Sequence, residues 1–283
     1  MLEVFFKHMN EAESFYQFIK EDCEDWKVYR KRGDIHTVHV FPGDELEWEQ
    51  CKKKLSQLLS SVYIKHREYQ AIQTILEKTY RFTNPEEKER ITSLAKSLIE
   101  KDEDIYEHRI HQHELHDILQ AIFLLHTEKE MVRFDSIVHF RFHHYLEQLT
   151  ELVGLAIDEF KREEDYQSFI HSVREFIARK QPEVDVIYVL EGNQYHFFRE
   201  DGTPYKTAEL NEVMERFPLY IFGLQENEWN ISPLIMLAPN HVYMFGNDPS
   251  ETRLTTVINI FQENCTFFPI EEFPFPIEVE KGS

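Results

Sequence analysis

Glycine, cysteine and long apolar runs are scarce in this chain of 283 residues. Its eight glycines form neither a GxGxxG fingerprint nor a GxxxxGKS or GxxxxGKT loop, which excludes the usual phosphate-binding turns. Its three cysteines, Cys23, Cys51 and Cys265, lie far apart and predict neither a CxxC pair nor a disulfide framework. The GxSxG, HExxH and ExxH patterns are also missing. We therefore expect no resident cofactor and find no recognisable catalytic centre.

Targeting and membrane signals are missing as well. No apolar run reaches the roughly 18 residues of a membrane span. The first residues lack the basic segment and the apolar stretch of a signal peptide. A net charge of −21 repels phosphates and anionic lipids. These features predict a cytoplasmic protein with no membrane span and no nucleic-acid partner.

Apolar and aromatic residues are plentiful, at 42% and 14% of the chain, so the protein can bury a sizeable core. The pattern of strands and helices predicts an α+β fold whose central region is mainly helical. We divide the chain into a β-α-β-β unit over residues 1–43, a helical domain over 44–181, a C-terminal α/β unit with a β-hairpin over 182–270, and an extended acidic tail over 271–283.

Several boundaries are predicted from local signals. Asn10 and Glu13 form the pattern of a capping box, and Gly33 and Asp34 indicate a hairpin between two strands. Asn84 before Pro85 predicts a helix start. Further helices are expected over 137–160 and 163–179, and strands over 186–190, 195–199, 241–245 and 265–270. Segments 2–23 and 241–265 share a strand-cap-helix order, which fits either a duplication or a common arrangement.

Histidine is the one unusual component, with 15 in the chain. Four of them fall in one predicted helix: His108, His111, His113 and His116. At about 100° per residue, His108 and His111 lie about 60° apart, but the four cannot reach one ion. Either pair, His108 with His111 or His113 with His116, fits a weak zinc site with carboxylate help or exposed or edge-of-core histidines; of the two, we name His108 and His111 as the candidate metal pair.

Arg141 is the polar residue that the helical pattern singles out. On a single helix over 137–160 it lies at the border of the apolar stripe. A border arginine usually extends to pair with a surface acid. The alternative is a guanidinium that grips an anion or a partner protein, with His139 and His144 beside it.

The segment Phe134–Ile177 resembles the YtxC-like sporulation family of spore-forming Firmicutes. The matching positions are Phe140, Arg141, Tyr145, Asp158, Glu159, Phe160, Tyr166, Phe169 and Ile170, and a later match covers Ile231–Pro239. The chain departs from the family where Phe142, His143 and His144 follow the arginine and where Pro233 interrupts a helical run. The resemblance implies a cytoplasmic role around sporulation and supplies no catalytic residues.

Two hypotheses of different class follow. The first is a non-enzymatic interaction or structural factor with an unidentified protein partner. The second is an enzyme with a scattered anion-binding site around Arg141.

Overall fold

The computed structural model describes residues 1–31, 33, 35–43, 47–100, 112–128, 130–192, 194–215 and 231–276. The chain divides into two compact units, Met1–Lys161 and Arg162–Ser283. Helices and two small sheets confirm the predicted α+β class. The four-part domain organisation stays a prediction.

The first unit is built from a four-stranded sheet and a set of helices. Its elements are β1 (Leu2–Phe6), α1 (Met9–Asp22), β2 (Lys27–Lys31), β3 (His36–Phe41), α2 (Trp48–Tyr63), a π-helical turn (Ile64–Glu68), α3 (Tyr69–Lys78), α4 (Pro85–Glu100), α5 (Gln112–His126), β4 (Met131–Arg133), α6 (Phe134–Arg141) and the first part of α7 (His143–Arg179). The boundary between the units falls within α7.

The first sheet has the strand order β2-β3-β1-β4. β3 runs antiparallel to both β1 and β2, which confirms the predicted hairpin, and β4 runs parallel to β1. The inner face buries Leu2, Val4 and Phe6 because side chains alternate along a strand. β4 was not predicted, since three residues are too few to show a period.

One apolar core joins this sheet to the helices of the first unit. The inner face of the sheet and α1 contribute Phe6, Phe15 and Ile19, and α2 contributes Leu55 and Leu59. Burial of this surface supplies the main favourable contribution to folding, at roughly 25 cal/mol per Å² of apolar area.

Two helix boundaries in the first unit differ from the prediction. The helix expected over 137–160 is interrupted at Phe142, whereas no break occurs near residue 162. Lys161 and Arg162 are good helix formers, so nothing there stops α7. Helix α1 begins at Met9 with His8 as its cap, so Asn10 is not the N-cap; its side chain instead accepts a 3.2 Å hydrogen bond from the amide of Glu11. Asn84, by contrast, does cap α4 by accepting from the amide of Glu86 at 2.9 Å.

The second unit contains the rest of α7, then β5 (Val186–Leu190), β6 (His196–Phe198), α8 (Thr207–Glu215), α9 (Ser232–Leu237), β7 (His241–Gly246), α10 (Thr252–Phe261) and β8 (Cys265–Pro269). Its sheet has the order β6-β5-β7-β8. The β5-β6 hairpin is antiparallel, as predicted, and β7 runs parallel to both β5 and β8.

The two faces of the second sheet differ in character. Ile187, Val189 and Met244 point towards the helices and form the main core of the unit. The outer face carries a separate cluster, which includes Leu190, Phe198, Phe245 and the C-terminal residues Phe273 and Phe275. The N-cap of α10 is Glu251, and the preceding Asp248 accepts hydrogen bonds from the amide and the hydroxyl of Ser250.

Segments 2–23 and 241–265 lead into different sheet connections. After α10, β8 pairs directly with β7. After α1, β2 lies two places from β1, with β3 between them. Because the following strands are placed differently, and neither Asn10 nor Asp248 is the helix cap, the two segments share only a strand-helix order. Among the described residues, no helix combines the length and the apolar character that crossing a membrane requires.

Candidate functional site

The predicted residues Arg141, His139 and His144 lie at the junction between α6 and α7. Arg141 ends α6, and His144 lies in the first turn of α7, so the two do not share one continuous helix as the sequence suggested. All three side chains are exposed. Between them, Phe140 is 71% exposed, which is unusual for a phenylalanine, and its ring lies 4.6 Å from that of His139.

The end of α5 lies beside this junction. Burial lowers the pKa of His126, and the positive charge of Arg141 lowers it further. Leu125, the neighbour of His126 in sequence, is 74% exposed. We use the name junction patch for His126, His139, Phe140 and Arg141. Within the described part of the chain, Arg141 forms no ion pair, whereas His143 and His144 lie 3.1 Å and 3.8 Å from carboxylate oxygens of Glu147.

An aromatic cluster supports the junction from inside. Phe142 is buried, and its backbone angles (φ −87°, ψ 6°) end α6 and turn the ring into the core. Tyr63 packs against Phe142 at a centroid distance of 4.7 Å and against Tyr145 at 5.4 Å. Phe123 contacts Phe142 edge-on at 5.5 Å. The break in the helix is therefore a packed feature of the core.

A buried carboxylate on the π-helical turn holds the start of α7. Glu68 is 3% exposed and accepts a 2.8 Å hydrogen bond from the hydroxyl of Tyr145. Burial raises the pKa of Tyr145, and the Glu68 charge raises it further, so this phenol remains a donor. Nε2 of His116 lies 3.8 Å from Oε1 of Glu68 and is buried without a hydrogen-bond partner among the described residues. π-helical turns frequently occur at functional sites.

A half-buried arginine holds the start of α6. Arg67, the neighbour of Glu68, donates to both carboxylate oxygens of Glu11 at 2.5 Å and 2.8 Å and to Asp135 at 2.5 Å. Asp135 also accepts from the amide of Lys7 at 2.7 Å. Burial acts to lower the pKa of Arg67, but the bonds to the two carboxylates outweigh it and raise that pKa. α6 is thus tied to α1 at one end and to the aromatic cluster at the other.

This inner support was not predicted from the sequence. A signal existed, because Glu68 lies four, seven and eight residues before Ile72, Ile75 and Leu76, on the apolar stripe of the helix. Glu11 similarly precedes Phe15 by four residues. An acid on an apolar stripe indicates a buried, paired carboxylate, because an unpaired charge in the core is strongly unfavourable.

The predicted metal pair, His108 and His111, lies outside the described residues. Within those residues, no group of three or more histidine, cysteine or acidic side chains is placed to hold a metal ion. The thiols are poor nucleophiles: burial raises the pKa of Cys23, Cys51 and Cys265, in the last case to about 12.

The fold and the junction define an α+β protein of two compact units, each organised around a four-stranded sheet, with a helical junction held by buried polar contacts. The sequence profile of the YtxC-like family matches residues 53–266. The chain belongs to this family, which confirms the resemblance found over Phe134–Ile177. The Bacillus subtilis (strain 168) protein "Uncharacterized protein YtxC" is 25% identical over 295 aligned positions, with all of both chains covered. No solved structure matches the chain.

Proposed function

We propose that this chain is a non-enzymatic interaction factor in the cytoplasm of the sporulating cell, and that the junction patch binds its protein partner. The observation that carries the proposal is the exposure of Phe140 on a rigidly held junction. Exposed Phe140, Arg141 and Leu125 lie together at this junction, and aromatic and arginine side chains are enriched at binding hot spots.

The chemistry of the patch indicates the kind of partner. Phe140 offers an apolar anchor, and the adjacent Arg141 offers a guanidinium that no carboxylate of the described residues occupies. A protein segment with an apolar side chain next to an acidic one satisfies both groups. The acidic character of the rest of the chain disfavours acidic partners elsewhere on the surface and so contributes to specificity.

The buried contacts beneath the patch support binding without induced rearrangement. Glu68 and Tyr145 hold α7, while Arg67 holds α6, so the exposed groups are presented from fixed positions. Preorganisation of this kind lowers the entropy lost on association.

The test compares Phe140→Ala and Arg141→Ala with Tyr29→Ala, which removes an exposed ring from β2 in the same unit. Each full-length variant is used to capture partners from sporulating cells, and a captured protein is then purified and titrated. We expect one partner that binds the parent and the Tyr29 variant equally and binds the two patch variants at least about tenfold more weakly. Equal binding to all four proteins would contradict the assignment.

The second candidate is an anion site of an enzyme around Arg141, which the uncompensated charge beside His126 favours. Titration with inorganic phosphate, followed by the NMR signal of His126, separates the two. Bound phosphate would restore a higher pKa of His126 by opposing the Arg141 charge. We expect no saturable change, because the patch is exposed and competes poorly with water for a small anion.

A further inference from the structure

The outer face of the second sheet contains a cleft that is separate from the junction patch. Its volume is about 300 Å³, and it is lined by Tyr188, Tyr243, Phe245, Phe268, Glu272 and Pro274. We use the name aromatic cleft for these six residues. Four of the six are aromatic, and the one charged side chain is a carboxylate.

Strand register places the four rings next to one another. Tyr188 on β5 pairs with Tyr243 on β7, and Phe245 on β7 pairs with Phe268 on β8. The ring centroids of Tyr188 and Tyr243 are 5.0 Å apart, and those of Phe245 and Phe268 are 5.4 Å apart. Neighbouring strands that present rings on one face thus form a nearly continuous π surface.

The C-terminal segment fixes the rim of the cleft. Phe275 packs edge-on to Tyr188 at 5.0 Å, and Phe273 packs edge-on to Phe245 at 5.1 Å. The Phe275 ring also rests on Gly202, where a Cβ would lie 2.5 Å from it. With both phenylalanines anchored, Glu272 and Pro274 are held at the border of the ring surface.

The electrostatics of the cleft favour positive charge. Aromatic faces carry negative potential, and Glu272 adds a formal charge at the rim. The surroundings of Tyr188 likewise disfavour negative charge: burial raises the pKa of its hydroxyl, and Tyr243 and Glu200 raise that pKa further. Two carboxylates, Glu200 and Glu272, therefore act on the same group of rings.

We propose that the aromatic cleft binds a small organic cation with a methylated ammonium group. Ring faces attract such a cation, and a quaternary ammonium has no N–H groups, so it loses fewer hydrogen bonds with water than a primary ammonium does on entering the cleft. A volume of about 300 Å³ lies at the lower end of the range of roughly 300–1,000 Å³ for ligand sites, which fits a small free molecule.

The experiment uses the full chain, choline as the probe, and the neutral choline isostere in which carbon replaces the nitrogen. We expect saturable binding of choline, detected by calorimetry, and binding of the isostere that is at least about fivefold weaker. Equal binding of both compounds, or binding of neither, would overturn the proposal.

Matched variants locate the site. Glu272→Gln is expected to weaken choline binding about threefold to tenfold and to leave the isostere unaffected, because only the rim charge changes. Glu271→Gln removes the preceding exposed acid, which does not line the cleft, and is expected to bind as the parent does. Tyr243→Leu is expected to abolish binding while circular dichroism remains that of the parent. Undiminished binding by folded Tyr243→Leu would place the cation elsewhere and contradict the assignment.

Discussion

The two units hold a surface segment in place by different kinds of contact. Each has a four-stranded sheet with helices against one face, yet the first unit holds its exposed segment with buried charge, and the second holds its segment with aromatic rings. α6 is fixed by Arg67 between Glu11 and Asp135, and the C-terminal segment is fixed by Phe273 and Phe275. In the first unit, directional polar contacts fix the orientation of α6. In the second unit, packed rings hold the C-terminal segment and leave the sheet face apolar.

The outer faces of the sheets differ accordingly. In the first unit that face is polar and mixed, with His39 and Glu3 3.3 Å apart and Arg133 above the ring of Phe5. In the second unit, rings cover the face, and the C-terminal segment shields part of it. An exposed apolar sheet face favours association unless it is covered or used for binding.

The largest expected effect comes from removing Arg67, the half-buried arginine that pairs with the buried Glu11 of the first unit. Arg67→Ala leaves Glu11, which is 2% exposed, as an unpaired buried carboxylate. We expect a loss of about 3–5 kcal/mol in the free energy of unfolding, measured by urea and the fluorescence of Trp26 and Trp48.

The matched control for that variant is Arg30→Ala. Arg30 on β2 forms a partly exposed ion pair with Glu13, which lies on α1 as Glu11 does. The expected cost of this substitution is at most about 1 kcal/mol. Similar losses for Arg67→Ala and Arg30→Ala would show that buried charge does not hold the first unit.

Tyr145→Phe tests the other polar contact of that unit. The variant keeps the ring but removes the donor to Glu68, so we expect a loss of about 1–3 kcal/mol. Tyr80→Phe removes an exposed hydroxyl that donates to the carbonyl of Thr150 at 3.0 Å and is expected to cost less than about 1 kcal/mol. If Tyr145→Phe were as stable as the parent, Glu68 would not depend on this bond.

Gly202→Ala tests the aromatic attachment of the second unit. Gly202 has φ 83°, where an alanine is strained, and the added Cβ would displace Phe275. We expect a loss of about 1–2 kcal/mol in the free energy of unfolding and faster hydrogen exchange at the amides of Phe273 and Phe275. Gly33→Ala, whose nearest neighbour to the added Cβ lies at 3.6 Å, is the control. Unchanged hydrogen exchange at these amides would show that the segment is not fixed by this contact.

The smallest effect concerns pH. Burial lowers the pKa of His66, Glu11 opposes this shift, and Lys65 and Arg67 reinforce it; Nε2 of His66 lies 2.8 Å from the hydroxyl of Ser14. Folding therefore favours neutral His66, and stability declines as pH falls below about 6.5, where the unfolded chain binds the proton more readily.

His66→Gln should make the dependence of unfolding free energy on pH, between about 7.5 and 5, less steep. His126 shifts in the same direction, so the slope should decrease without vanishing. A slope that stays as in the parent would mean that His66 is not a source of this dependence.

The sequence predicted those features that depend on local pattern. The strand predicted over 186–190 matches β5, and Asn84 with Pro85 located the start of α4, because these signals involve neighbouring residues alone. Features that depend on distant partners were missed. β4 is a strand only because it pairs with β1, and the break at Phe142 reflects a ring pocket formed by Tyr63 and Phe123.

The candidate site was also predicted only in part. Arg141 and His139 were singled out from the sequence, but their exposure and the prominence of Phe140 depend on where α6 ends. The charged residues that hold α6 are Glu11 on α1 and Arg67 on the π-helical turn. Each lies more than 60 residues from α6 in the sequence. No local pattern connects residues at such separations.

The most direct test of the proposed function is photo-crosslinking from position 140. Phe140 is replaced by a photoreactive phenylalanine derivative in sporulating cells, with the same replacement at Tyr29 as the control. We predict a single crosslinked protein partner from position 140 that is absent from position 29. Crosslinks that are identical at both positions, or none at position 140, would contradict the assignment of the junction patch as the partner-binding surface.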